Sequence, residues 1–253
     1  VITTSSGNLS ITGVGSTSGS DSNHGLLLTG QVTTATGAVT LTGTGNGSGT
    51  DNIGIFMDTG GLIDSTGAAG SLTLTGQGSA GTNDNSGILI QGGGTQVTSV
   101  DADISLTGTG RGIGTDAHGI EIATGSISSS GTASIDLIGT ASFIGTGNGV
   151  LLSSSGDVNS TSTGNITITA TSASSDDISL SSGSTLGGVT TGDITLTVDT
   201  ADLDSAAGLA VITTAGGTVT IKPRTSSTSV GLASGSSGTL NLVDNELAVL
   251  PGA

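Results

Sequence analysis

The sequence predicts an all-β chain: a right-handed parallel β-helix, a solenoid with three strands per coil, about 30 residues per coil and roughly eight coils. Three observations predict it. A short alternating apolar motif recurs at a nearly constant period, and a second motif sits at a fixed offset inside that period. The composition is rich in glycine and β-branched aliphatics and almost devoid of aromatic rings.

The first motif has a small residue, an alternating apolar triplet, then Thr-Gly or an equivalent. It reads GNLSITG from Gly7, GAVTLTG from Gly37, GSLTLTG from Gly70, ADISLTG from Ala102 and ASIDLIG from Ala133. It continues as GNITITA from Gly164, GDITLTV from Gly192, GTVTIKP from Gly217 and a shortened GTLNLVD from Gly238. Successive copies start 30, 33, 32, 31, 31, 28, 25 and 21 residues apart, a period within the range of solenoid repeats.

The second motif reads HGLLLTG from His24, IGIFMDTG from Ile53, SGILIQG from Ser86, HGIEIATG from His118 and NGVLLSS from Asn148. DDISLSSG from Asp176, AGLAVIT from Ala207 and VGLASG from Val230 extend it. A weaker third strand follows in LIDS at Leu62, QVTS at Gln96, SISS at Ser126 and DVNS at Asp157. Three short strands per period make one coil, and each strand pairs with its equivalents above and below. Hairpins of a β-meander would not produce a three-strand period of this length. Right-handedness follows from the strong bias of parallel crossovers.

Alternation assigns the faces. Val39, Leu41, Leu72, Leu74, Ile104 and Leu106 point inward as aliphatic ladders, while Thr40, Thr73 and Ser105 point outward. Glycine fits corners that need positive φ or close backbone approach. Disorder is the competing reading of Gly/Ser-rich sequence, but hydrophobic residues reach 32% with mean hydropathy +0.26. Those residues fall in ordered alternating runs, which is the strand pattern. Residues 1–216 read as β-helix shaft. Residues 217–253, with Lys222, Pro223 and Arg224 clustered, read as shortened terminal coils, or a cap or linker to a following module.

Charge narrows the partners. The formal net charge is −16, from 19 acidic residues against three cations. So few cations cannot neutralise phosphates, which argues against nucleic acid. Without basic stripes or an apolar run of about 20 residues, membrane insertion is not expected. The absence of cysteine rules out disulfides and thiolate metal sites. The chain starts at Val1 without Met or a signal peptide, and is read as a mature or excised piece.

GAVTLTG, GSLTLTG, GNITITA and GDITLTV, with the closing stretch GGTVTIKPRTSSTSVGL and GTLNLVDNEL, resemble the shafts of filamentous-haemagglutinin-like exoproteins. Related giant β-strand-repeat surface proteins of Gram-negative bacteria and cyanobacteria share the pattern. The resemblance covers nearly the whole chain and identifies a class of protein. It implies export to the cell surface or beyond, and a role in adhesion, biofilm formation or surface display. The Asn-Pro-rich secretion signature of such exoproteins has no counterpart here. Only Pro223 and Pro251 are present, so the resemblance is to shaft material.

Candidate sites are few. Asp51, Asp84 and Asp116 each lie three residues before Gly54, Gly87 and Gly119 and should stack in adjacent coils. Like charges about 5 Å apart repel, and a shared Ca²⁺ would relieve them; the alternative is turn-capping aspartates. His24 and His118 share a repeat position and read as surface turn residues. Arg111 in GTGRGIG is expected to pair with a neighbouring acid. That glycine pattern mimics a dinucleotide loop, but no βαβ unit surrounds it.

No catalytic residue and no cofactor is assigned. Polysaccharide-cleaving β-helices need clustered carboxylates, cations and aromatic platforms, and three cations with two Phe do not furnish such a cleft. The leading expectation is a non-catalytic, rigid extracellular element. Neighbouring copies or modules would meet it through open coil ends. An adhesin face for a cell-surface ligand is the second expectation. The third is an ice-binding solenoid using outward Thr pairs such as Thr40–Thr42, Thr73–Thr75, Thr167–Thr169 and Thr195–Thr197, interrupted at Ser105, Asp136 and Ile138.

Overall fold

The computed structural model describes residues 1–67, 70–181, 183–203 and 210–251. It is a parallel β-solenoid of three sheets. The first motif forms the longest rungs, Leu9–Val14, Val39–Thr44, Ser71–Gln77, Asp103–Thr109, Ile135–Thr140, Ile166–Thr171, Ile194–Thr197 and Val219–Lys222. These constitute the second sheet. The second motif forms the third sheet, from Leu26–Leu28 through Ile55–Met57, Ile88–Gln91, Ile120–Ala123, Val150–Ser153 and Ile178–Leu180 to Ala201–Asp202. The weak third motif is the first sheet, which begins at Ile2–Thr4 and ends at Val211–Ile212. Residues 207–209 of AGLAVIT lie outside the described residues, as does Ser182 of DDISLSSG. The Val211–Ile212 strand of AGLAVIT is a rung of the first sheet, not the copy of the second motif that the sequence suggested.

Alternation produces the core. On the second sheet, Val39, Leu72, Ile104, Ile135, Ile166 and Ile194 are successive register partners, and Leu41, Leu74, Leu106, Leu137, Ile168 and Leu196 form a parallel column. All are buried. The third sheet faces them with Ile55, Ile88, Ile120, Val150 and Ile178. The first sheet closes the triangle with Val32, Ile63, Val97, Ile127, Val158 and Leu186. Each turn therefore hides its apolar face only against its neighbours, as solenoids do.

The regular stack has about six turns of about 31 residues, not eight. First-sheet partners from Ile2 onward are separated by 30, 31, 34, 30, 31, 28 and 26 residues. The turns thus contract toward the C-terminus, and the third sheet stops one rung before the others. VGLASG and GTLNLVD are not further coils. Their strands, Val230–Leu232 and Leu240–Leu242, pair with each other in a separate two-stranded parallel sheet.

The two ends differ. At the N-terminal rung Ile2 is 42% exposed, and Leu9, Ile11, Leu26 and Leu28 are only partly buried. At the other end Leu240 and Leu242 are buried in the core cluster, and Leu247, Val249 and Leu250 pack against it. The short helix Asp244–Ala248 turns Glu246 inward. Its Oε1 accepts from the Leu203 amide at 3.1 Å and its Oε2 from the Val243 amide at 2.7 Å. The Ile212 amide donates to the Val249 carbonyl at 3.2 Å. Backbone donors that a further coil would otherwise take are thus satisfied by the C-terminal segment.

Candidate functional site

The loops between the second and third sheets carry most of the singled-out residues. Asp51, Asp84 and Asp116 do stack, at one corner and with φ of 57°, 54° and 59°. Ser22 opens the column in the same left-handed conformation. Asp tolerates this region better than most residues, which gives the recurring aspartate a backbone reason. The Asp51 amide donates to the Asn83 carbonyl at 3.2 Å, and the Asp84 amide to the Thr115 carbonyl at 2.9 Å. Burial, then the charges of Asp51, Asp116 and Glu121, raise the Asp84 carboxyl above its usual range, against an opposing pull from His118. Yet among the described residues no three acidic or histidine side chains converge to hold a metal ion.

The glycines beside this column act through close approach, not positive φ. A Cβ on Gly43 would stand 2.1 Å from the Gly54 carbonyl oxygen, and one on Gly76 2.2 Å from that of Gly87. Gly108 and Gly119 repeat the arrangement, as do Gly139 and Gly149. Two backbone columns touch along this edge, and a side chain would force them apart. Ala170 and Asp177 end the glycine pairs.

An asparagine ladder inside the same corner escaped the sequence reading. The Asn23 amide donates to Asn52 Oδ1 at 2.9 Å, and the Asn52 amide to Asn85 Oδ1 at 3.0 Å. Their own Nδ2 groups donate to backbone carbonyls, Asn52 to Ser20 at 2.9 Å and Asn85 to Gly49 at 3.1 Å. Asn52 and Asn85 are buried, so a complete network is what makes them tolerable. The signal was present: Asn stands two residues before Gly25, Gly54 and Gly87. Ala117 interrupts it.

The histidines differ from the expectation. His118 is buried, with 5% exposure, not a surface turn residue. Its Nδ1 accepts from the Asn148 amide at 2.9 Å, and its Nε2 lies 3.8 Å from Asp116 Oδ1. His24 is half-buried, with its ring centroid 4.9 Å from that of Phe56. Burial holds it below its ordinary pKa despite the opposing charge of Asp51. Two turns separate the pair, so they share no site.

Among the described residues Arg111 pairs with no acid; its Nη1 donates to Gln77 Oε1 at 3.2 Å. It lies over shallow depressions beside Ala80, Ile113, Phe143 and Ile144. The last three are 55%, 71% and 78% exposed. They form an apolar patch that the repeat analysis passed over because it lies outside every strand. The close ion pair among the described residues is Arg224 with Asp199, at 2.8 Å. For Asp199, burial pushes its carboxyl up. The hydrogen bonds from Thr225 and Thr228 and the Arg224 charge outweigh that and set it below its usual value.

The outer face of the second sheet is the most regular surface. Thr40, Thr73, Thr167 and Thr195 occupy one column, with Ser105 and Asp136 between them. Thr12, Thr42, Thr75, Thr107, Thr169 and Thr197 occupy the next, broken by Ile138. Thr44, Thr109, Thr140 and Thr171 form a third, with Gln77 among them. No threonine hydroxyl of these columns bonds to another described residue. Elsewhere threonines are committed to turns, as where Thr34 accepts from the Gly37 amide at 3.0 Å and Thr190 from that of Gly192 at 2.9 Å.

No protein-family model matches the chain, and no curated protein or solved structure matches it.

Proposed function

We propose that the chain is a non-catalytic, rigid extracellular spacer, a length of stalk from a bacterial surface protein of the filamentous-haemagglutinin-like kind. The observation that carries this reading is the uninterrupted parallel register of the second sheet from Leu9 to Lys222. Such a stack transmits position along its axis through backbone hydrogen bonds and an aliphatic core. The acidic groups lie on strands, as with Asp64, Asp103, Glu121 and Asp136, as well as in loops. Apart from the Asp51, Asp84 and Asp116 corner, the acidic charge is therefore distributed along the rod. A neighbouring copy or module would seat on the N-terminal rung, where apolar side chains and strand edges are uncovered. The closed C-terminal end speaks against a filament built from identical copies stacked through both ends.

An adhesin face is the second reading, and it rests on Ile113, Phe143 and Ile144 beside Arg111. Aromatic and arginine side chains dominate interface hot spots, and this patch brings both types together. Two measurements test the spacer. Protease treatment of intact producing cells should remove the protein, and retention inside the cell would contradict the extracellular placement. Immobilised chain challenged with host cells and surface polysaccharides should show no saturable binding. Saturable binding lost in Phe143→Ser would replace the spacer with the adhesin.

A further inference from the structure

We propose that the outer face of the second sheet binds ice. In a parallel sheet the register partners repeat about every 4.8 Å along the axis, and residues two apart repeat about every 6.8 Å along the strand. The threonines of the three columns occupy such a lattice, in unbroken register. Each offers a methyl and a hydroxyl, and none of those hydroxyls bonds to another described residue. A soluble ligand engages a few groups at one point. Only a solid whose own hydrogen-bonding groups form a rigid two-dimensional lattice meets many of these at once.

The chemistry of the face selects among solids. From the Thr12 rung to the Thr197 rung the two main columns carry one charge, Asp136, in a chain of formal net charge −16. A mineral surface would call for rows of charge, and this face lacks them. Crystalline polysaccharide is gripped by aromatic rings stacked on sugar faces, and no ring stands in these columns. An uncharged hydroxyl-and-methyl array complements a lattice of water, and rigid backbone pairing means little ordering entropy remains to be lost on adsorption. The inference does not depend on the spacer reading, because a rod with or without partners presents the same face.

The test uses the full chain in dilute buffer. Freezing hysteresis, ice-crystal shaping and partition into a growing ice front are measured for the parent, for Thr75→Tyr with Thr107→Tyr, and for Thr169→Lys alone. Thr33→Tyr with Ser128→Tyr, on the outer face of the first sheet, is the control. Circular dichroism and melting curves verify folding of each. The expected result is ice activity in the parent and control, and its loss in both second-sheet variants. Absence of activity in the folded parent overturns the proposal, as does equal loss in the control or retention in the second-sheet variants. Retention on microcrystalline cellulose without ice activity overturns it in favour of a polysaccharide surface.

Discussion

Side by side with the aliphatic column of the first sheet runs a buried column of small polar residues, Thr34, Ser65, Ser99, Ser129 and Ser160. Thr34 is committed to its turn, but the hydroxyls of the four serines make no hydrogen bond among the described residues. Their smallness suits a corner where the next loop crosses closely, and their polarity is a liability there. Ser129→Ala should therefore raise stability by about 1 kcal/mol, since it removes an unsatisfied group and little volume. A lower melting temperature in that variant would show that the hydroxyl does have a partner in solution. The glycines carry a different residue-scale lesson. Sequence reading assigned them positive φ or close approach without choosing, and the corner divides those duties. Gly54, Gly87 and Gly119 permit approach, while Asp51, Asp84 and Asp116 supply the left-handed turn.

At the scale of the rung, alternation and period were enough to place every strand of the second and third sheets between Leu9 and Leu180, because burial on one face leaves a period-two record. What lies between rungs was less legible. The asparagines recur two residues before Gly25, Gly54 and Gly87, but their inward direction, like the burial of His118, depends on how the loops fold, and no period-two alternation records that. The C-terminal strands were misassigned for a related reason: VGL and LNL satisfy the rung pattern but pair with each other. The stacked aspartates allow an electrostatic prediction. The Asp84 pKa is raised in the folded state, so its ionisation costs stability as pH rises above the ordinary value of 3.8. Below that value both folded and unfolded chains are protonated and the cost is absent. Asp84→Asn keeps a residue suited to φ of 54° and should stabilise the chain at pH 7, the gain fading as pH falls below 3.8. Equal melting temperatures at pH 7 would contradict the ladder's repulsion.

On the scale of the molecule, the contrast between ends decides how copies meet. The sequence reading expected open coil ends and left residues 217–253 as shortened coils, a cap or a linker, since strand edges have no signature of what covers them. In the structure Leu242, Leu247 and Glu246 close one of them. A chain shortened to end at Ser229 should associate with rising concentration in sedimentation experiments, while the full chain stays free of fibres. Fibres formed by the full chain would mean that the C-terminal segment detaches. The central claim, a rigid in-register parallel stack, is tested most directly by a distance between spin labels. The chain has no cysteine, so Thr12→Cys and Lys222→Cys label it at two exposed positions of one column. Those positions are seven register steps apart. At about 4.8 Å per step the account predicts a single narrow distance near 34 Å. A broad distribution, or a much longer or shorter distance, would contradict the solenoid and the spacer built on it.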